Sequence, residues 1–178
     1  LSRGLGDVYK RQSQPTGGPR SSGARNAAGA AVGGAGRGLN VQVVNADSTL
    51  GQRQTFDTYG NGRSACASFN DWYDNALADN QYFILFTSDH TGSLNSDTGT
   101  ETVGTRDRLV DAGATRRNVE ALTGTRMFIL VGRKRAGEGA GMQRLSPPAS
   151  TGRADQWVEL IVEFLSLIHI SEPTRQEA

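Results

Sequence analysis

The sequence predicts one α+β or α/β sandwich domain, because it combines a β-hairpin, apolar strands and two helices. Residues 39–45 and 52–60 are rich in strand formers and flank a turn-forming segment, which is typical of a hairpin. Residues 81–88 form a continuous apolar run of strand length, and residues 64–78 carry apolar side chains at helical spacing. These patterns are not repeated along the chain, so we do not expect a repeat protein.

The two ends of the chain are related through the DNA that encodes them. Residues 2–12 read SRGLGDVYKRQ, and residues 165–175 read LSLIHISEPTR. One choice of codons for the first segment has a reverse complement that translates into the second without a mismatch. Folding does not create such a relation, whereas a sequencing adaptor ligated to both ends of a DNA fragment does. We therefore interpret residues 1–12 and 165–178 as adaptor-derived and leave them out of the fold prediction.

Residues 13–36 predict a linker or a loosely held arm. The segment is rich in Gly, Ala, Ser and Pro, and Val32 is its only larger aliphatic side chain. It therefore has little apolar surface to offset the entropy lost on ordering. The ordered domain is expected to cover residues 37–164.

The first half of this domain is predicted to contain the hairpin and one helix. The helix spans about residues 64–78, and we expect Trp72 on its apolar face to be a core anchor. The strand at 81–88 has the composition of a central strand that is buried on both faces. A long polar loop follows it, and loops of that length are often functional.

The second half is predicted to contain a short helix and three more strands. The helix reads RDRLVDAGA and ends at Gly113. The strands read NVEAL, RMFILVGRK and QWVELIVEF, and a glycine-rich loop at 136–142 follows the second of them. The basic cluster of Arg133, Lys134 and Arg135 is interpreted as a solvated face of a hairpin.

Composition excludes several classes of function. Without the adaptor segments, basic and acidic side chains are equal in number, which argues against a polybasic surface for nucleic acid or membrane. Cys66 is the only cysteine, so an intrachain disulfide and a cysteine-based zinc site are not expected. No apolar run approaches the ~20 residues of a membrane span. We expect no metal and no cofactor.

Five motifs in this order resemble the interleukin-like epithelial–mesenchymal-transition inducer domain: GRGLNVQVVN, FDTYG, FILFTSD, LVDAGA and ILVGRKRAGEGAG. The resemblance implies a compact β-β-α sandwich of two sheets flanked by two helices. Related domains occur in the stem of protein O-mannose N-acetylglucosaminyltransferase, in hyaluronan-associated cell-surface proteins and in bacterial and phage tail sequences. Because this chain lacks the cysteines of the animal members, a bacterial or phage member is favoured, in an extracellular or virion-associated location.

The resemblance also implies a non-catalytic module that binds carbohydrate. The related stem domain binds N-acetylglucosamine glycans through an acidic residue after the central strand and an arginine before a later strand. Asp89 matches the acidic residue. The arginine position falls on Thr125, so Arg126 replaces it only if a bulge restores the strand register. The expected partner is a glycan or surface polysaccharide, or alternatively a protein.

The residue types themselves also point to sugar recognition. Sugar sites combine a few fixed polar groups with an aromatic platform. Tyr59, Asp89, His90 and Asn95 supply these types from loops at strand ends. Asp89 could instead order its loop, and His90 could be an exposed loop residue.

Two other functions stay open. One is a structural or protein–protein interaction module of a tail or adhesin. The other is a carbohydrate-active enzyme that uses Asp57 and Asp89 as a carboxylate pair. For Asp57 we favour a hydrogen bond to the following turn. One histidine is too few for the usual metal sites, and the G-x-S-x-G elbow and the phosphate-loop pattern are both missing.

Overall fold

The computed structural model describes residues 35–92, 94, 104–124, 126–147 and 160. Their strands form one five-stranded antiparallel sheet in the order β2-β1-β3-β4-β5. The strands are β1 Gly38–Val44, β2 Leu50–Phe56, β3 Tyr82–Ser88, β4 Phe128–Arg133 and β5 Met142–Leu145. The helices are α1 Gly62–Asp71, α2 Thr105–Asp111 and α3 Arg116–Glu120. The fold is therefore of the predicted α+β class, with three helices where two were expected.

The predicted hairpin is confirmed, but its second strand is shorter than expected. Strands β1 and β2 pair antiparallel, with Leu39 opposite Phe56. The chain then leaves the sheet, because the Asp57 carboxylate accepts a hydrogen bond from the Gly60 N–H at 2.8 Å. Residues 57–60 are consequently a turn and not the end of a strand.

Strand β3 is central, as predicted, and is buried on both faces. It pairs with β1 on one side and with β4 on the other. Phe83 and Leu85 belong to the apolar cluster that also contains the buried side chains of all three helices. Ile84 and Phe86 belong to a second cluster on the opposite face of the sheet. We call these the helix face and the back face.

The helix face carries the larger core. Trp72 is 6% exposed and lies 5.6 Å from the Phe83 ring, edge to face, which confirms it as a core anchor. Helix α1 continues directly into a π-helical turn, Trp72–Ala76. The π-turn ends where the Lys134 ammonium donates hydrogen bonds to the carbonyls of Asp74 and Leu77 at 2.8 and 2.7 Å. Lys134 is 6% exposed, so its placement on a solvated hairpin face was wrong.

The prediction of a strand at NVEAL is also wrong, because this segment belongs to α3 and the turn that follows it. The Thr115 hydroxyl caps the helix by accepting from the Asn118 N–H. Val119 and Leu122 are then buried on one side, at helical spacing.

Strand β5 was not predicted. It follows the expected glycine loop, in which the Gly141 N–H donates to the Gly113 carbonyl at 2.9 Å and ties β5 to the end of α2. Gly113 has φ +110°, and a Cβ there would lie 2.4 Å from the Gly141 nitrogen, so glycine is required.

The predicted last strand, the linker and both adaptor segments lie outside the described residues, except for Ala35, Gly36 and Leu160. Leu160 packs on the back face together with Ala35 and Leu50. The described residues contain one sheet, so the second sheet of the predicted sandwich stays a prediction. No helix in this part of the chain is long and apolar enough to cross a membrane.

Candidate functional site

Three loops meet at one end of the sheet. They are the turn after β2, residues 89–92 after β3, and the turn that ends at Gly124 before β4. The buried Thr58 hydroxyl donates to the Thr91 carbonyl at 2.6 Å. Thr91 in turn donates to the Gly124 carbonyl from its N–H at 3.0 Å and from its hydroxyl at 3.1 Å. These bonds fix segments that are far apart in sequence.

A cleft of about 400 Å³ opens between these loops and the start of α2. Leu94 and Leu122 lie behind its surface and are 1% and 0% exposed. Polar groups and the Tyr59 ring complete the lining. The lining residues are Tyr59, His90, Gly92, Leu94, Arg106, Leu122, Thr123 and Gly124.

Tyr59 supplies the aromatic surface. Its side chain is 52% exposed, and its ring centroid lies 4.3 Å from that of His90 and 4.8 Å from the guanidinium carbon of Arg37. Arg37 is itself held by Asp57, to which it donates from Nε at 2.9 Å and from Nη2 at 2.6 Å. The hydrogen bond from Arg37 lowers the pKa of Asp57, so this carboxylate stays ionised. Arg37 was not predicted from the sequence.

His90 presents a nitrogen near Gly124. Its Nδ1 accepts a hydrogen bond from the Gly92 N–H at 2.8 Å, so the neutral ring carries its proton on Nε2. A Cβ on Gly124 would lie 3.8 Å from that Nε2. Gly92 has φ +64°, and a Cβ there would lie 2.3 Å from the Thr58 carbonyl oxygen, so this loop depends on glycine.

Arg106 is the second residue that the sequence analysis missed. It lies in the first turn of α2 and lines the cleft. Its Nε is buried and has no hydrogen-bond partner among the described residues. The RDRLVDAGA motif correctly predicted a helix, but nothing in its pattern distinguishes the arginine that faces the cleft from the one that does not.

Asp89 borders the site. It follows β3 in the left-handed backbone region, with φ 59°, and is half-buried. The Asp57 hydrogen bond raises the pKa of Arg37 most, and the negative charge of Asp89 adds a smaller increase. Asp89 itself does not line the cleft.

Arg126, a predicted site residue, does not join this group. Arg126 donates from Nη1 to the Ala121 carbonyl at 3.1 Å and from Nε to the Ser146 carbonyl at 3.0 Å, so its guanidinium holds the backbone together. Burial lowers the pKa of Arg126. Asn95 lies outside the described residues.

Asp57 takes the turn-forming role that we favoured, through the Gly60 N–H. Within the part of the chain that the structure describes, no three histidine, cysteine or carboxylate side chains come together as metal ligands. A scan against protein-family models finds no match to this chain, and a search of curated proteins finds no match either.

Proposed function

We propose that this chain is a non-catalytic recognition module that binds carbohydrate in the cleft between Tyr59 and Arg106. The observation that carries the proposal is the half-exposed Tyr59 ring beside the His90 imidazole, both of which line the cleft. An aromatic face packs against the C–H side of a sugar ring, while the polar groups around it bind hydroxyls.

The resemblance to the inducer-domain family supports the same assignment. It would place the module in a larger cell-surface or phage tail protein, where binding to a surface polysaccharide serves attachment. The acidic residue that the resemblance assigns to sugar binding is Asp89, which lies next to the cleft residue His90.

The enzyme alternative needs its two carboxyl groups in different roles, and the chemistry of Asp57 excludes one of these roles for it. A glycoside hydrolase needs one carboxyl group with a raised pKa to protonate the leaving group. Asp57 has a lowered pKa, and both of its carboxylate oxygens accept hydrogen bonds from Arg37. It is therefore unsuited to the role of general acid.

The burial of the back face is evidence for the second layer of the proposed β-β-α sandwich. Ile84, Phe86 and Ile129 are at most 1% exposed, although the helices pack on the other face. Leu160 belongs to the segment QWVELIVEF and packs on this cluster. We propose that this segment contributes to the layer that covers the back face.

Glycan-array screening followed by calorimetric titration tests the function. We expect binding to one class of N-acetylglucosamine-containing glycan or surface polysaccharide. We also expect Asp89→Asn to weaken that binding at least about tenfold, because a carboxylate that accepts from two hydroxyls is lost. Asn tolerates the left-handed backbone of Asp89, so the melting temperature should stay within about 2 °C. No binding to any glycan on the array would reject the proposal.

A further inference from the structure

The wall of the cleft contains an arginine nitrogen that lacks an acceptor. The Nε of Arg106 is buried, and no described residue accepts a hydrogen bond from it. Buried polar groups in native proteins are almost always paired, and an unpaired one needs an explanation. The neighbouring Arg108 shows the usual situation, since its Nε donates to the Asp74 carboxylate at 3.0 and 3.1 Å. Arg53 also has unpaired nitrogens, but it does not line the cleft.

Arg106 brings a positive charge to the lining of the cleft. Among the described residues that line the cleft, Arg106 is the only one with a permanent charge. Of the two carboxylates described beside the cleft, Asp57 is paired with Arg37 through two hydrogen bonds. Asp89 borders the cleft but does not line it. A ligand that carries a carboxylate would give the Arg106 guanidinium a charged acceptor of matching planar geometry.

We infer that the cleft selects an acidic saccharide, a sugar whose ring bears a carboxylate. This inference rests on the proposed glycan binding and names the class of sugar. Arg106 donates to the carboxylate, Tyr59 packs against the C–H face of the ring, and the Nε2–H of His90 donates to a hydroxyl. A neutral sugar leaves the Arg106 Nε without a charged acceptor and binds more weakly.

Titration of the full chain with matched sugars tests the selection. The acidic probes are trigalacturonate and trimannuronate, and the neutral probes are their methyl esters, which keep the ring and lose the charge. We expect at least one acid to bind about tenfold or more tightly than its ester, because hydrogen bonds to charged groups are the stronger ones. Arg106→Gln should abolish this preference. Arg144→Gln removes the same charge from an exposed position on β5 and should preserve it.

A neutral N-acetylglucosamine trimer separates the possible failures. If it or the esters bind as tightly as the acids, the acidic selection is overturned and the glycan-binding function stands. If none of the probes binds and the array is also blank, the proposed function itself is overturned. An acid preference that survives Arg106→Gln would show that another group binds the carboxylate, and it would overturn the role of Arg106.

Discussion

The ring of Tyr59 lies 4.3 Å from the imidazole of His90, although the two residues belong to loops that follow different strands. Their loops are joined by the hydrogen bond from Thr58 to the Thr91 carbonyl. The Tyr59 ring is therefore held in place while its side chain stays 52% exposed. A pre-positioned, exposed aromatic ring contributes to binding at a low entropic cost, and it contributes little to the core.

Replacement of Tyr59 should accordingly reduce binding and not stability. We expect Tyr59→Ala to weaken glycan binding about tenfold, because the ring contact with the sugar is lost. The melting temperature should change by less than about 2 °C. Titration calorimetry and thermal unfolding measure the two effects.

Tyr82 provides the matched control. It is 49% exposed at the start of β3, and its ring lies 5.8 Å from the Arg133 guanidinium carbon. It therefore has a similar exposure and a similar cationic neighbour at the opposite end of the strand from Asp89. Tyr82→Ala should leave glycan binding unchanged. Equal losses in the two variants would mean that the cleft is not the binding site.

The cleft could be predicted only in part from the sequence. Tyr59 and His90, which line it, and Asp89, which borders it, were predicted because they lie in loops at the ends of recognisable strands. Arg106 and Arg37 were not, because their positions depend on how loops from distant parts of the chain meet. Arg126 was assigned to the site from the resemblance, but its guanidinium instead binds the carbonyls of Ala121 and Ser146.

Lys134 should be important for stability. Its buried ammonium donates to two carbonyls at the end of the π-turn. Lys134→Met fills similar space but leaves both carbonyls without this donor, at a cost of about 2 kcal/mol in the free energy of unfolding. Urea unfolding measures the loss.

The neighbouring Arg135 serves as the control for Lys134. Its Nη1 lies 2.7 Å from the Asp79 carboxylate, but its side chain is 67% exposed. Exposed ion pairs contribute about 0–1 kcal/mol. Arg135→Gln should therefore cost clearly less than Lys134→Met. The two variants would behave alike only if the buried hydrogen bonds of Lys134 contribute nothing.

The fold was predictable where a local sequence pattern determines an element, and it was not where contacts between distant segments do. A continuous apolar run is sufficient to identify β3, because burial on both faces leaves no polar alternation. Five residues are too few to separate a strand from α3, whose Thr115 cap decides the outcome. Lys134 was misjudged because its acceptors are 57 and 60 residues away in sequence. Such pairings appear only when the sheet and α1 have assembled.

Acid should destabilise the protein through Asp74. The Arg108 guanidinium, whose side chain is 10% exposed, lowers the pKa of Asp74 from its ordinary value of 3.8 by hydrogen bonding. The unfolded state then binds a proton at a higher pH than the folded state. This contribution to stability is complete above pH ~4 and is lost as the pH falls through the lower folded-state pKa.

Asp74→Asn isolates this effect. The variant should be less stable at neutral pH, and its free energy of unfolding should depend less on pH below about 4. Asp71→Asn changes the same charge at an exposed position in α1, where the carboxylate accepts from the Asn75 amide at 2.8 Å. Denaturant unfolding between pH 2 and 7 measures both slopes. An Asp74→Asn slope identical to that of the wild type would contradict the assignment.

Shortened chains test the boundaries of the domain. We expect a chain that ends at Phe164 to melt at the same temperature as the full chain, because we interpret the removed residues as adaptor-derived and not as part of the domain. A chain that ends at Ala154 also loses Leu160, which packs on the back face. Uncovering Ile84, Phe86 and Ile129 costs about 1.5–3 kcal/mol for each side chain, so this chain should unfold or aggregate. Thermal unfolding and dye binding measure the difference. A fully stable chain ending at Ala154 would show that residues 155–164 do not cover this face.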